Sequence, residues 1–278
     1  METKTKQLKK NLLTWYTNNK RSFSWRNTND PWKILLIEII SQQTQINRAD
    51  TYYQKFIKRF PTPESMSKSS LKTILKMWSG LGYNNRAKRL FEASKIINEL
   101  GFDKIYPNFQ KLPGVGEYTK NALLSFAYDE KVLTRDTNIN RILKRYFGSD
   151  LEQYSQHQLE DSLFKNVISR DLNQSLMDLG SIICSSKNPK CELCPLETHC
   201  SKNFMKESRV KVEKFSGSNR ELRGQIINLL IETPKLNKNI IKKILNVEIN
   251  NLDKALIGLE KDGLLSINKN NVVSINSE

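Results

Sequence analysis

Residues 109–127 read FQKLPGVGEYTKNALLSFA, and the five residues Leu112-Pro113-Gly114-Val115-Gly116 at its centre decide the fold. A helix that runs into Pro113 must stop there, the two glycines permit a tight turn, and Glu117 opens a second helix with Ala122, Leu123 and Phe126 on its apolar face. The amides of Gly114, Val115 and Gly116 are then free at the positive end of that helix. Such a turn holds an anion, for example a DNA phosphate, without reading base sequence. A lone Gly-x-Gly is usually an ordinary tight turn between packed helices, whereas the full Leu-Pro-Gly-Val-Gly is much more specific.

Helical spacing extends outward from this hairpin. Leu71, Ile74, Leu75 and Trp78 recur at intervals of three and four, as do Leu90, Phe91, Ser94 and Ile97. Phe60-Pro61-Thr62-Pro63 and Gly80-Leu81-Gly82 read as breaks between short helices. The first 200 residues are therefore expected to be all-α, with no internal repeat and no low-complexity tract. The apolar run Ile34-Leu35-Leu36-Ile37 is cut by Glu38 and is too short to span a bilayer, and METKTKQLKK lacks the apolar core of a signal peptide. A reducing cytoplasmic location, associated with the nucleoid, is expected.

The 45 Lys and Arg against 29 Asp and Glu give a formal charge of +16. Residues 218–278 carry nine basic and seven acidic side chains, a net of +2, which leaves +14 on residues 1–217. A basic excess of that size favours a polyanionic partner, and nucleic acid comes before an anionic membrane because no basic amphipathic anchor is present.

All four cysteines lie within the 17 residues CSSKNPKCELCPLETHC, at Cys184, Cys191, Cys194 and Cys200. A reducing compartment argues against a disulfide framework. Tetrahedral zinc and a four-iron cluster both accept four thiolates. Zinc sites usually pair two short Cys-x-x-Cys motifs across a longer spacer, and a single short pair here favours the cluster. Lys187 and Lys190, on the same loop, are candidates to meet phosphates; a loop lysine is as readily just solvated.

Two carboxylates complete the candidates. In VLTRDTNINRILKRYFG, Asp136 precedes a helix with Ile139, Ile142 and Leu143 on one face, where an Asp is by default an N-cap. In PWKILLIEIISQQTQ, Glu38 sits inside an apolar helical run, where a carboxyl should resist ionisation and could serve as a general acid.

Together FSWRNTNDPWKILLIEIISQQTQ, WSGLGYNNRAKRL, LPGVGEYT, the Asp136 segment, MDLGSIIC and the four cysteines resemble the iron-sulfur helix-hairpin-helix (HhH-GPD) DNA glycosylases, most closely those of the MutY adenine type. The resemblance runs from about Trp15 to Cys200. It implies an all-α, two-lobed fold with a [4Fe-4S] cluster loop, a mispaired duplex DNA as partner, and hydrolysis of the N-glycosidic bond of an adenine flipped out opposite G or 8-oxoguanine. By resemblance, Glu38 protonates the departing adenine, Asp136 stabilises the sugar cation or guides water, and Tyr118 lies beside them. In the lyase relatives a lysine takes the place of Tyr118; a tyrosine cannot form a Schiff base, so the enzyme is expected to be monofunctional. Gln42 and Tyr83 match positions that wedge into the duplex, and Leu112, Gly114, Val115 and Gly116 form the phosphate hairpin. A sister branch that acts on T or U opposite G shares the hairpin, the cluster, the Tyr and the Asp, and a catalytically silent DNA-binding protein is a further alternative.

The chain departs from the family at Thr137, where Asp136-Thr137-Asn138 stands for the usual Asp-Gly-Asn, and at Arg135, which replaces an apolar residue just before the Asp; it departs again after the cluster loop. Domains are expected at 1–200, a basic linker at 201–217 and a separate module at 218–278. That module reads as three helices near 221–232, 240–245 and 251–259, followed by a hairpin in LLSINKNNVVSIN. This resembles a winged helix rather than the large 8-oxoguanine-recognition domain usual in the adenine branch. A protein partner is expected for the module, and a monomer for the whole chain.

Overall fold

A computed structural model describes residues 2–204 and 215–276. Among the described residues fourteen helices follow in chain order: α1 Glu2–Asn19, α2 Pro31–Ser41, α3 Ile46–Arg59, α4 Pro63–Ser67, α5 Leu71–Trp78, α6 Asn85–Leu100, α7 Phe102–Ile105, α8 Glu117–Tyr128, α9 Thr137–Phe147, α10 Gln156–Phe164, α11 Ser169–Ile182, α12 Asn219–Glu232, α13 Lys238–Leu245 and α14 Ile249–Lys261. The strands are β1 Lys235–Asn237, β2 Leu265–Ile267 and β3 Val272–Ile275. The chain divides into two compact units, Met1–Leu35 with Val115–Ser208, and Leu36–Gly114 with Arg209–Glu278. None of the described helices is long and apolar enough to cross a membrane.

The first unit is built on α1 and α8 to α11. Leu8 and Leu12 of α1 share one apolar core with Ile139, Ile142 and Leu143 of α9 and Leu172, Leu176 and Leu179 of α11, and three of the four cysteines pack against its edge. A buried charge cluster ties the FSWR segment to this core. Asp178 of α11, fully buried, accepts from both Nη atoms of Arg26 at 2.5 and 2.8 Å and from Arg21 Nε at 2.7 Å. A carboxylate buried so deeply is tolerated because each oxygen meets a guanidinium donor, and removing either partner would strand a charge. The conspicuous FSWR and MDLG motifs thus serve the frame of the unit.

The second unit holds α3 to α7. Ser70 caps α5 by accepting the Thr73 amide, and Leu71, Ile74, Leu75 and Trp78 are all buried, as the spacing predicts. Each contributes about 1.5–3 kcal/mol of transfer free energy. Thr62 closes a capping box at the start of α4, so Phe60-Pro61-Thr62-Pro63 is the break expected. The helix expected to run into Pro113 is only a 3-10 turn, Phe109–Lys111. Phe109 and Leu112 are buried there, and packing, more than helical propensity, holds the approach to the hairpin.

The C-terminal residues of the same unit form three helices and an antiparallel sheet in the order β1-β3-β2, with Leu236 opposite Val273 and Ser266 opposite Ser274. This is the winged-helix arrangement expected, with one addition. The strand β1, three residues between Pro234 and α13, is too short to show alternation in the sequence. Helix α12 packs on α5, with Leu222, Ile226, Ile227 and Leu230 buried. Of the expected basic linker, residues 205–214 lie outside the described residues.

Candidate active site and cysteine loop

Asp136 is the N-cap of α9, as its position predicts. One oxygen accepts the Ile139 amide at 2.7 Å and the other accepts Asn138 Nδ2 at 2.9 Å. Both of its oxygens are thus directed by donors at the helix start. The segment leading to it hangs on side chains: Asn121 of α8 donates to the Leu133 carbonyl, Glu160 accepts the Leu133 amide and Asn173 accepts the Thr134 amide. Tyr118, half-buried in the first turn of α8, belongs to the same unit. No hydrogen bond or ion pair among the described residues joins Arg135 to Asp136, and the buried Arg135 Nε has no partner in that set.

Arg141 carries the arrangement on toward the cysteine loop. It donates to Asn138 Oδ1 at 2.7 Å, to the Gly180 carbonyl at 2.8 Å and to the Cys184 carbonyl at 2.8 Å. A Cβ on Gly180 would stand 2.6 Å from the Asn138 Cβ, so α11 can approach α9 here only with glycine. One buried arginine therefore connects the side chain that holds Asp136 to the backbone of the first cysteine.

The four thiols are free and half-buried, and they line one pocket together with Arg145, Lys202 and Phe204. Arg145 Nη1 lies 3.3 Å from Cys184 Sγ, and the Lys202 amide donates to Cys200 Sγ at 3.4 Å. Burial pushes the Cys194 thiol up to about 11 and raises that of Cys200 as well, with neighbouring cysteines adding to both. Four thiols line a common space, and donors are aimed at two of the sulfurs, a donor set that fits a thiolate-held metal group. Lys187 and Lys190 are exposed on this loop.

In the second unit Glu38 lies in α2 and is only 5 % exposed, between Ile37 and Ile39, which are buried with it. Gln42, half-buried just past the end of α2, donates to the Gly114 carbonyl at 3.3 Å. Gly114 has φ +83°, and a Cβ there would meet Arg89 Cβ at 3.2 Å, so the hairpin needs glycine at this point for conformation and for space. The Leu112 and Val115 side chains are buried, leaving their backbone as the part available to a phosphate; Gly116, extended and exposed, caps α8. Tyr83 is 39 % exposed with φ +48°.

Arg86 is the residue that the spacing of apolar positions leaves invisible. Its Nη1 reaches the carbonyls of Ile39 at 3.2 Å, Ile40 at 3.1 Å and Gln42, and its Nη2 those of Leu81 at 3.2 Å and Gly82 at 3.1 Å. Burial pushes its guanidinium down to about 10, still cationic at neutral pH. The last carbonyls of a helix have no intrahelical partner, and one cation satisfies them while fastening the loop that presents Tyr83.

Residues 36–166 match the HhH-GPD superfamily of base excision DNA repair proteins. Fold, hairpin and match define a helix-hairpin-helix protein of DNA repair. An adenine DNA glycosylase of Mycolicibacterium smegmatis is 30 % identical over 91 % of this chain and 91 % of its own length. One of Buchnera aphidicola subsp. Baizongia pistaciae is 38 % identical over 68 % of this chain, but that stretch is 56 % of the relative's length. The chain belongs to the adenine DNA glycosylase family. Among solved structures, a thermostable thymine-DNA glycosylase is similar at TM-score 0.65 and 32 % identity, covering 72 % of this chain and 96 % of that one. Endonuclease III in a non-covalent DNA complex shares the fold at TM-score 0.59 and 18 % identity, covering 73 % of this chain and 96 % of that one.

Proposed function

We propose that the protein is a monofunctional DNA glycosylase that releases adenine mispaired with G or 8-oxoguanine. The observation that carries this reading is Glu38, a carboxyl group nine-tenths buried inside an apolar helix in a chain that also fixes Asp136 at a helix start. Neutral adenine is a poor leaving group. As the bond between C1′ of the sugar and the base nitrogen breaks, its electron pair passes to the base, which takes a proton from Glu38. Asp136 then faces the positive charge left on the sugar, water adds to C1′ and releases a proton to solvent, and Glu38 takes a proton back from solvent, so the cycle closes. Two carboxyl groups in unlike surroundings divide acid and anion roles. Tyr118 offers no amine for a Schiff base, so the strand is left intact at the abasic site.

DNA is bound through the Gly114 to Gly116 amides, with Gln42 and Tyr83 wedging beside the extruded nucleotide; opening is least costly at a mismatch. The four cysteines hold a [4Fe-4S] cluster, which when bound crosslinks the 184–200 loop and couples its folding to ligation. The protein acts as a cytoplasmic, nucleoid-associated monomer, and its C-terminal module meets a protein partner or shapes lesion choice. The purified protein should be brown with broad absorbance, and Cys194→Ser should lose both colour and solubility; colourless protein with stoichiometric zinc would refute the cluster.

The similarity to a thymine-DNA glycosylase favours a second reading, release of T or U opposite G. Duplexes with A opposite G, A opposite 8-oxoguanine, T opposite G and U opposite G, each treated with alkali after incubation, separate the two. The adenine reading expects cleavage of the adenine strands, and only after alkali.

A further inference from the structure

The C-terminal module touches the loop that carries Tyr83 at two points. Ser79, the last residue before Gly80, donates to Asn228 Oδ1 of α12 at 3.0 Å. Four residues on, Arg220 Nη1 from the first turn of α12 donates to the Tyr83 hydroxyl at 2.6 Å, and its guanidinium lies 5.1 Å from the centre of the Tyr83 ring and 5.0 Å from that of Phe215. The turn that launches Arg220 is itself held: Ser218 donates to the Phe215 carbonyl and caps α12, and Glu221 accepts the Gly217 amide. Neighbouring Arg223 is paired with Asp262, whereas among the described residues no carboxylate pairs with Arg220. The hydrogen-bond acceptor that the structure gives this cation is the phenol of an otherwise exposed tyrosine. Arg220, Arg223, Tyr83, Asn84 and Asp262 line one open pocket between the loop and the module.

We propose that Arg220 is a positioning residue for Tyr83, and that through it the C-terminal module takes part in reading the duplex. This rests on the role of Tyr83 as a wedge. An exposed tyrosine samples several rotamers, and each must be given up when the ring enters DNA. A cation that donates to the hydroxyl and lies beside the ring selects one rotamer beforehand. It also brings positive charge to the place where a phosphate approaches. The module, with its net charge of only +2, thus acts on recognition by orienting a residue outside itself and not by broad attraction to the backbone.

The test uses the full chain, with binding to mispaired and fully paired duplexes and single-turnover excision at saturating protein. Arg220→Ala should weaken binding to mispaired DNA by about 3- to 10-fold, the scale of one immobilised side chain. The excision rate at saturation should stay near that of the parent, and Arg220→Lys should recover part of the loss. In a Tyr83→Ala background, Arg220→Ala should add nothing. An equal loss in both backgrounds, or no loss from Arg220→Ala while Tyr83→Ala is impaired, would overturn the proposal and leave the wedge reading intact. If Tyr83→Ala bound mispaired DNA like the parent, the wedge reading itself would fall and this role with it. Should Arg220→Ala not fold, Tyr83→Phe removes the bonded oxygen without touching the module; weaker mismatch binding supports the role, and unchanged binding refutes it.

Discussion

Asp136 and Glu38 are held by different means. Asp136 sits at a helix start, where a backbone amide and the Asn138 side chain direct its two oxygens. Glu38 sits inside a helix among buried apolar residues. Each region also has a buried arginine, and the two are used differently. Arg141 bonds the side chain that holds Asp136 and then the cysteine loop, so its chain of contacts runs through polar side chains. Arg86 gathers five backbone carbonyls from the end of α2 and the Leu81-Gly82 turn. The first arrangement fixes where a charge lies; the second fixes the course of the backbone. A helix start directs donors at a carboxylate, whereas an apolar, buried helical position withdraws a carboxyl group from solvent.

That contrast predicts unequal consequences. The largest is for Asp136→Asn: asparagine is an equally good N-cap, so melting temperature should barely change, while excision should fall by about 10²- to 10⁴-fold. Comparable activity would mean that the residue is only a cap. Next is Arg86→Ala, which strands several buried carbonyls and should cost about 3 kcal/mol in denaturant unfolding. Loss of mismatch binding should accompany it, because the Tyr83 loop loses its anchor; an unchanged midpoint would show that water replaces the guanidinium. The smallest is Lys187→Ala with Lys190→Ala. Both side chains are exposed, so stability should hold, and the slope of log affinity against log salt should shrink by about one for each phosphate no longer neutralised. An unchanged slope would mean that both lysines are merely solvated.

What could be read from the chain was local. Leu-Pro-Gly-Val-Gly, the cysteine spacing and the Asp136 cap each lie within a few residues, and their backbone consequences follow from turn and cap chemistry. The winged-helix pattern was legible for the same reason, except β1, whose three residues carry no periodic signal. Arg86, Arg141 and Arg220 were not legible. Their partners lie 44, 43 and 137 positions away at Gln42, Cys184 and Tyr83, and an arginine on a helix looks like a solvated surface charge until the fold supplies its partner. The Arg26–Asp178 pair shows the opposite case. FSWR and MDLG stand out in the sequence, yet part of what makes them stand out is a buried ion pair in the frame of the first unit.

On the proposed reading, release of adenine depends most on a proton from Glu38. The direct measurement is single-turnover base release by the parent and by Glu38→Gln, on A opposite G and on T opposite G, with melting temperature followed in parallel. Release of adenine by the parent, and its loss by about 10²-fold or more in a folded Glu38→Gln variant, is the predicted result. Release of thymine as the main reaction, persisting in Glu38→Gln, would contradict it.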